Sequence, residues 1–145
     1  MRSVSDILES KANDVVTVTP EQTVLEAARR MNEHRIGAVV VVAPDNSVSG
    51  IFTERDVLRR VVADGRPAET TPVREVMSTP VTCCKLNTSV AECQSVMTTK
   101  RLRHLPVVDR GQLAGMISIG DILAQEVEIQ QHTIEYLHDY LHGRT

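Results

Sequence analysis

Aromatic residues are almost missing from this chain. There is no tryptophan, one phenylalanine (Phe52) and two tyrosines (Tyr136 and Tyr140), so the stacking platforms used to hold single-stranded nucleic acid are absent. Charge of one sign is also lacking. Sixteen Lys and Arg against nineteen Asp and Glu leave a net charge of -3 over 145 residues, with no basic footprint for nucleic acid. No apolar run approaches the roughly 20 residues of a membrane-spanning helix. The start, Met1-Arg2-Ser3-Val4-Ser5-Asp6, has no secretory apolar stretch. The expectation is a cytoplasmic protein without nucleic-acid or membrane partners. Motifs for catalysis are missing too: no nucleophile elbow, Walker loop, CxxC or HExxH is found. An enzyme is therefore not expected.

Three cysteines, Cys83, Cys84 and Cys93, are an odd number without a secretion signal, which argues against a disulfide framework. Cys83 and Cys84 would face opposite sides of a strand. Cys93 falls on an apolar helical stripe with Val90 and Met97. All three read as small buried hydrophobes.

What the chain does contain, it contains twice. Gly50-Ile51-Phe52-Thr53-Glu54-Arg55-Asp56 returns as Gly115-Met116-Ile117-Ser118-Ile119-Gly120-Asp121. Each copy is a glycine, two apolar residues, a hydroxyl, two variable positions and an aspartate. Upstream, Val24, Met31 and Arg35 recur as Val90, Met97 and Arg101, 66 residues on. A period of this size signals repeated structural units.

Each unit has the same order. Val15 to Val18 reads as a strand, and Val24, Ala27, Ala28 and Met31 have helical spacing. Ala38 to Val42 is a β-branched run suited to a strand buried on both faces. Pro44 to Ser47 is turn chemistry, and Val48 to Phe52 returns as its hairpin partner. Thr53 then opens a helix carrying Val57, Leu58, Val61 and Val62, with Gly65 as its stop. In the second unit Val81-Thr82-Cys83 is the first strand, followed by the Val90–Met97 helix, a Leu105–Val108 strand, a turn at residues 109–112, a Leu113–Ile117 strand and a helix from Ser118. A β-α-β-β-α unit of about sixty residues is marginal alone. The halves are expected to pack sheet on sheet and share one core.

This order, with the glycine-to-aspartate motif closing each copy, resembles the CBS domain family in its tandem form, the Bateman module. Val4-Ser5-Asp6-Ile7-Leu8 and Val73-Arg74-Glu75-Val76-Met77 look like the family's lead-in to each repeat. The resemblance implies an α+β fold: two CBS repeats, residues 4–64 and 73–124, packed through their sheets as a pseudo-twofold module. Residues 65–72 form the linker. Residues 125–142 form a C-terminal amphipathic helix, with Val127, Ile134, Leu137 and Leu141 on its stripe. The expected protein is a stand-alone module that pairs into a homodimer. The histidines of the tail, His132, His138 and His142, are too few to specify a metal site, and no metal is expected.

Thr53-x-x-Asp56 and Ser118-x-x-Asp121 each read as a capping box, which stabilises a helix start without any ligand. A helix start also offers unpaired N–H groups to an anion, and the carboxylate can accept from ribose hydroxyls. In the resembling family these two positions contact ribose and phosphate of adenosine ligands. By carry-over, Thr53 and Asp56 serve one cleft, with Val16, Thr17 and Val18 and the corner Ile36, Gly37 and Ala38. Ser118 and Asp121 serve the other, with Val81, Thr82 and Cys83 and the corner Leu102, Arg103 and His104, followed by Pro106. Arg101, Arg103 and His104 belong to a cationic run fit for phosphate, and Arg55 and Arg59 are further phosphate candidates. The second cleft is thus expected to hold phosphate better, and Asp121→Ala to weaken binding more than Asp56→Ala.

Two functions fit. One is a non-catalytic regulatory module that binds an adenosine nucleotide (AMP, ADP or ATP, with NAD or S-adenosylmethionine as further options) and signals to an unidentified effector protein through dimer geometry. The other is a dimeric scaffold whose clefts are vestigial.

Overall fold

In the computed structural model, which describes residues 2–11, 15–126 and 134, the helical spacing of Val24, Ala27 and Met31 becomes one buried stripe. Helix α1 is Val4–Glu9, strand β1 is Thr17–Val18 and helix α2 is Val24–His34. Strands β2, Ala38–Val42, and β3, Val48–Thr53, form the first hairpin. Helix α3 opens at Glu54–Asp56 and runs on as a π-helix over Val57–Val62. The second repeat has α4, Val90–Lys100, then β4, His104–Asp109, β5, Gln112–Ser118, and a helix α5 over residues 119–126. The architecture is α+β, as expected. Gly65 follows α3 at φ 67°, the left-handed stop that glycine supplies at no steric cost.

Both long helices end the same way. Arg35 and Arg101 take left-handed backbone, at φ 53° and 55°. The next amide then reaches back one full turn, Ile36 N–H to Met31 O at 3.0 Å and Leu102 N–H to Met97 O at 2.9 Å. That is the Schellman closure, and Ile36 and Leu102 pack into the same cores as Met31 and Met97. The two corners that floor the clefts are fixed by this geometry.

The first sheet has order β1-β2-β3, with β1 parallel and β3 antiparallel to β2. Val39 and Val41 join the core under α2. Ala38 and Val40 point the other way, as alternation requires, and are equally buried. The second sheet has only β4 and β5. The expected strand Val81-Thr82-Cys83 is not formed; it is reduced to a single parallel bridge, Cys84 to Val107. Pro106 explains this. Cys84 N–H donates to Pro106 O, and Val108 N–H donates to Cys84 O, both at 2.9 Å. Continuing the ladder toward residue 82 would need an N–H from residue 106, and proline has none. The register also corrects the cysteines. Cys84, not Cys83, takes the inward place, so Cys84 and Cys93 are buried while Cys83 is exposed. Burial, reinforced by the neighbouring Cys93, pushes the Cys84 thiol up to about 12, which leaves no reactive thiolate there.

The interior forms two clusters rather than the single shared core expected. Each is completed by the lead-in of the other repeat. Val4, Ile7 and Leu8 pack with Cys93, Met97, Leu105 and Ile117 of repeat two. Val73 and Val76 pack with Val24, Met31, Val39 and Phe52 of repeat one. Backbone bonds pin the exchange: Val4 N–H to Thr88 O and Val73 N–H to Gln22 O, both at 2.8 Å. The motif glycines make room for it. A Cβ on Gly50 would lie 2.5 Å from Met77 Sδ, and one on Gly115 would lie 2.9 Å from a Leu8 methyl. Each motif glycine is therefore the seat of the opposite lead-in.

Val57 and Val61 turn inward from α3, but Leu58 and Val62 are exposed, as is Leu123 on α5. Among the described residues no helix is long and apolar enough to cross a membrane. The expected tail helix lies outside the described residues apart from residues 125, 126 and 134, and so do His132, His138 and His142.

Candidate functional site

Strands β3 and β5 each deliver a hydroxyl to a helix start. Thr53 Oγ1 accepts the Asp56 N–H at 3.2 Å, and Asp56 Oδ2 accepts the Thr53 N–H at 3.0 Å. Ser118 Oγ accepts the Asp121 N–H at 3.1 Å, and Asp121 Oδ2 accepts the Ser118 N–H at 2.8 Å. Both capping boxes are complete. The corners consume another amide each: Glu54 N–H donates to Gly37 O at 3.0 Å and Ile119 N–H to Arg103 O at 2.9 Å. The expected row of free amides for an anion is thus partly used up internally. Phosphate would have to be held by side chains.

The two acids then diverge. Asp56 is 6% exposed. Its Oδ1 accepts from Ser78 Oγ at 2.9 Å and lies 3.6 Å from Arg60 Nε, so both oxygens are occupied. Ser78 is brought there by the exchanged lead-in, through paired backbone bonds with Ile51. The side chain of Asp121 is 25% exposed and pairs with Lys11 Nζ at 2.8 Å through Oδ2. Lys11 Nζ also donates to Met116 O at 2.9 Å. Burial opposes ionisation of Asp121, but the Lys11 bond and the Ser118 donors outweigh it and hold the carboxyl below its ordinary 3.8.

Two clefts lie between the repeats, of about 290 and 390 Å³. The smaller one holds Thr53, Arg55 and Asp56, beside Gly37. Facing them are Val81 and Thr82 and the corner Arg101, Leu102, Arg103 and His104. The larger holds Ser118 and Asp121 with Val16 and the corner Ile36, Gly37 and Ala38; His104 and Arg35 also border it. Sequence order groups each motif with its own repeat's first strand and corner. The structure crosses them: the motif of one repeat faces the corner and first-strand segment of the other. The cationic corner consequently opens on Thr53 and Asp56, not on Ser118 and Asp121, and the expected phosphate preference moves to the Asp56 cleft. Gly37 and His104 border both clefts.

Four expected contacts, Thr17, Val18, Cys83 and Pro106, line neither cleft. Val18 is core, Pro106 is buried in β4, and Cys83 lines a separate open depression near the hairpin turns. Arg59 lines neither cleft. The sequence reading missed Lys11, Ser78 and Glu54. Ser78 directly follows the lead-in Val73–Met77, which was a usable signal; Lys11 sits in a polar run and carried none.

His104 sits between the clefts, and burial pushes its pKa below 6.5; Asp121 and Glu54 oppose this, while Arg103 and Lys11 act with burial. The folded state therefore binds this proton more weakly than the unfolded chain. Stability should fall as pH drops below 6.5 toward the folded value. Melting curves across that interval should show the loss, and His104→Gln should flatten it. An unchanged slope in the variant would remove His104 as the cause.

The CBS domain family model matches residues 4–63 and 73–128. The Bacillus subtilis CBS domain-containing protein YhcV is 36% identical over 124 residues, 86% of this chain and 87% of its own length. The crystal structure of a CBS-domain containing protein from Agrobacterium tumefaciens is similar at TM-score 0.79 and 42% identity, covering 86% of this chain and 98% of that one. A CBS domain protein of Pyrobaculum aerophilum complexed with AMP is similar at TM-score 0.73 and 28% identity, covering 82% of this chain and 88% of that one.

Proposed function

The chain belongs to the CBS domain family, with two copies of the domain, and on that footing we propose that it is a non-catalytic regulatory module binding an adenosine mononucleotide between its repeats. The observation that carries this reading is the convergence of Arg55, Arg101, Arg103 and His104 on one cleft whose wall also includes Ile51, Val81 and Leu102. Guanidinium groups match phosphate oxygens in bidentate geometry, and aliphatic walls can hold a base without aromatic stacking. A volume of about 290 Å³ is at the lower end of ligand pockets, roughly 300–1,000 Å³, so AMP suits it better than a dinucleotide such as NAD. The AMP held by the Pyrobaculum protein points the same way. Both oxygens of Asp56 are already engaged, so a carboxylate is open to ribose only in the second cleft, at Asp121, which makes that cleft the second candidate nucleotide site.

Leu58 and Val62, four residues apart on one helix, and Leu123 on another are large apolar side chains left exposed, and they support pairing of two copies. Leu58 and Leu123 hold matching positions in the two repeats. A nucleotide would signal by binding one dimer geometry more tightly than another. The full engagement of Asp56 favours the alternative, a scaffold with vestigial clefts, and one experiment separates the two. AMP, ADP and ATP are titrated while melting temperature is followed, and light scattering on the same samples reads the mass against the 16.0 kDa monomer. At a hundredfold excess over Kd, binding should add about 2.7 kcal/mol, or roughly 5–10 °C. A dimer whose melting temperature ignores all three nucleotides at millimolar concentration would establish the scaffold instead.

A further inference from the structure

We infer that Lys11 makes the Asp121 cleft select phosphorylated over unphosphorylated adenosine ligands. The inference rests on the nucleotide-binding reading above and adds a specificity determinant to it.

Lys11 reaches this cleft from beyond its own repeat's first helix. Its ammonium is held at two points, Met116 O at 2.9 Å and Asp121 Oδ2 at 2.8 Å. An ammonium has three donors, so one remains for a ligand. The side chain is 35% exposed, and its four-carbon stem is flexible enough to turn within the cleft. Asp121 is the acid of this cleft with an oxygen, Oδ1, that no described residue engages.

Two ligand classes meet this arrangement differently. A neutral nucleoside that seeks both oxygens of Asp121 with its two ribose hydroxyls finds Oδ1 open but must compete at Oδ2 with the tethered cation seated there. It offers that cation nothing in return. A nucleotide brings a phosphate that can take the ammonium, so Lys11 moves from one anion to another and the carboxylate is released to the ribose. Without Lys11, an entering phosphate would meet the bare charge of Asp121, with only Arg35 among the described cations lining this cleft to offset it. The same side chain thus hinders the nucleoside and assists the nucleotide.

The test is calorimetric titration of the full chain with AMP and with adenosine. Wild type should prefer AMP. Lys11→Met should bind AMP more weakly and adenosine more tightly, cutting the preference on the order of tenfold to a hundredfold, as expected when one charge-assisted hydrogen bond is lost. Lys11→Arg, which keeps the charge, should retain the preference. In an Asp121→Asn background the gain in adenosine affinity from Lys11→Met should vanish, which ties the effect to this carboxylate. Wild-type binding with an unchanged AMP-to-adenosine ratio in Lys11→Met overturns the inference and leaves the parent reading standing. If wild type binds neither ligand, the parent reading fails and takes this one with it.

Discussion

Arg103→Ala is expected to weaken AMP binding roughly tenfold to a hundredfold, the loss of one bidentate charge-assisted contact, while leaving the fold intact. The reason lies in what Arg103 does not do. Its side chain makes no hydrogen bond or ion pair among the described residues, whereas its carbonyl accepts from Ile119 and would still do so in the variant. Truncating a solvated side chain with no structural partner costs within about 0.5 kcal/mol. Arg101, its neighbour, is a poorer probe, because its left-handed backbone closes α4. Isothermal titration gives the affinity, and a denaturant melt of the same sample gives the stability. Unchanged AMP affinity would mean that the cationic corner is only a solvated charge run.

The second large effect concerns stability. Phe52 is the chain's single phenylalanine and is fully buried near the end of β3, opposite Val39. It packs in the first core with Val61 and the exchanged Val73. Phe52→Ala should cost about 3–5 kcal/mol, combining lost transfer energy with the cavity left behind. Against a total stability of roughly 5–15 kcal/mol, that is about a fifth or more. The urea midpoint should fall with little change in slope. A cost below about 1.5 kcal/mol would show that the lead-in collapses onto the vacated space and that the core is softer than described. Phe52 also directly precedes Thr53, so the variant reads how far the cap depends on the strand beneath it.

Most of the fold was legible because the chain states it twice. The spacing of Val24, Ala27 and Met31, the run Ala38 to Val42 and the turn at residues 44–47 each mark their element by local chemistry, and the second copy repeats the order. What escaped was non-local. Nothing in the order of residues shows that Val4–Leu8 completes the core of the later repeat, so the clefts were assembled from the wrong halves. Thr53 and Asp56 were correctly placed on a helix start, yet which corner faces them depends on the exchange. The shortening of the second sheet could have been foreseen from Pro106, had its missing N–H been counted. Lys11 could not have been, because an ion pair between residues 110 apart leaves no trace in a polar stretch.

The exchange of lead-ins bears on how such a chain could have arisen. A solitary repeat would own a clasp, the Leu8 or Met77 segment, and a socket over its motif glycine, but its clasp fits the socket of another copy. Two identical short chains could satisfy each other in trans, each lending its first turn to the other. Joining them end to end would keep every contact and merely fix the partners, after which the two sockets were free to drift apart, one toward a serine lid over its acid and the other toward a lysine.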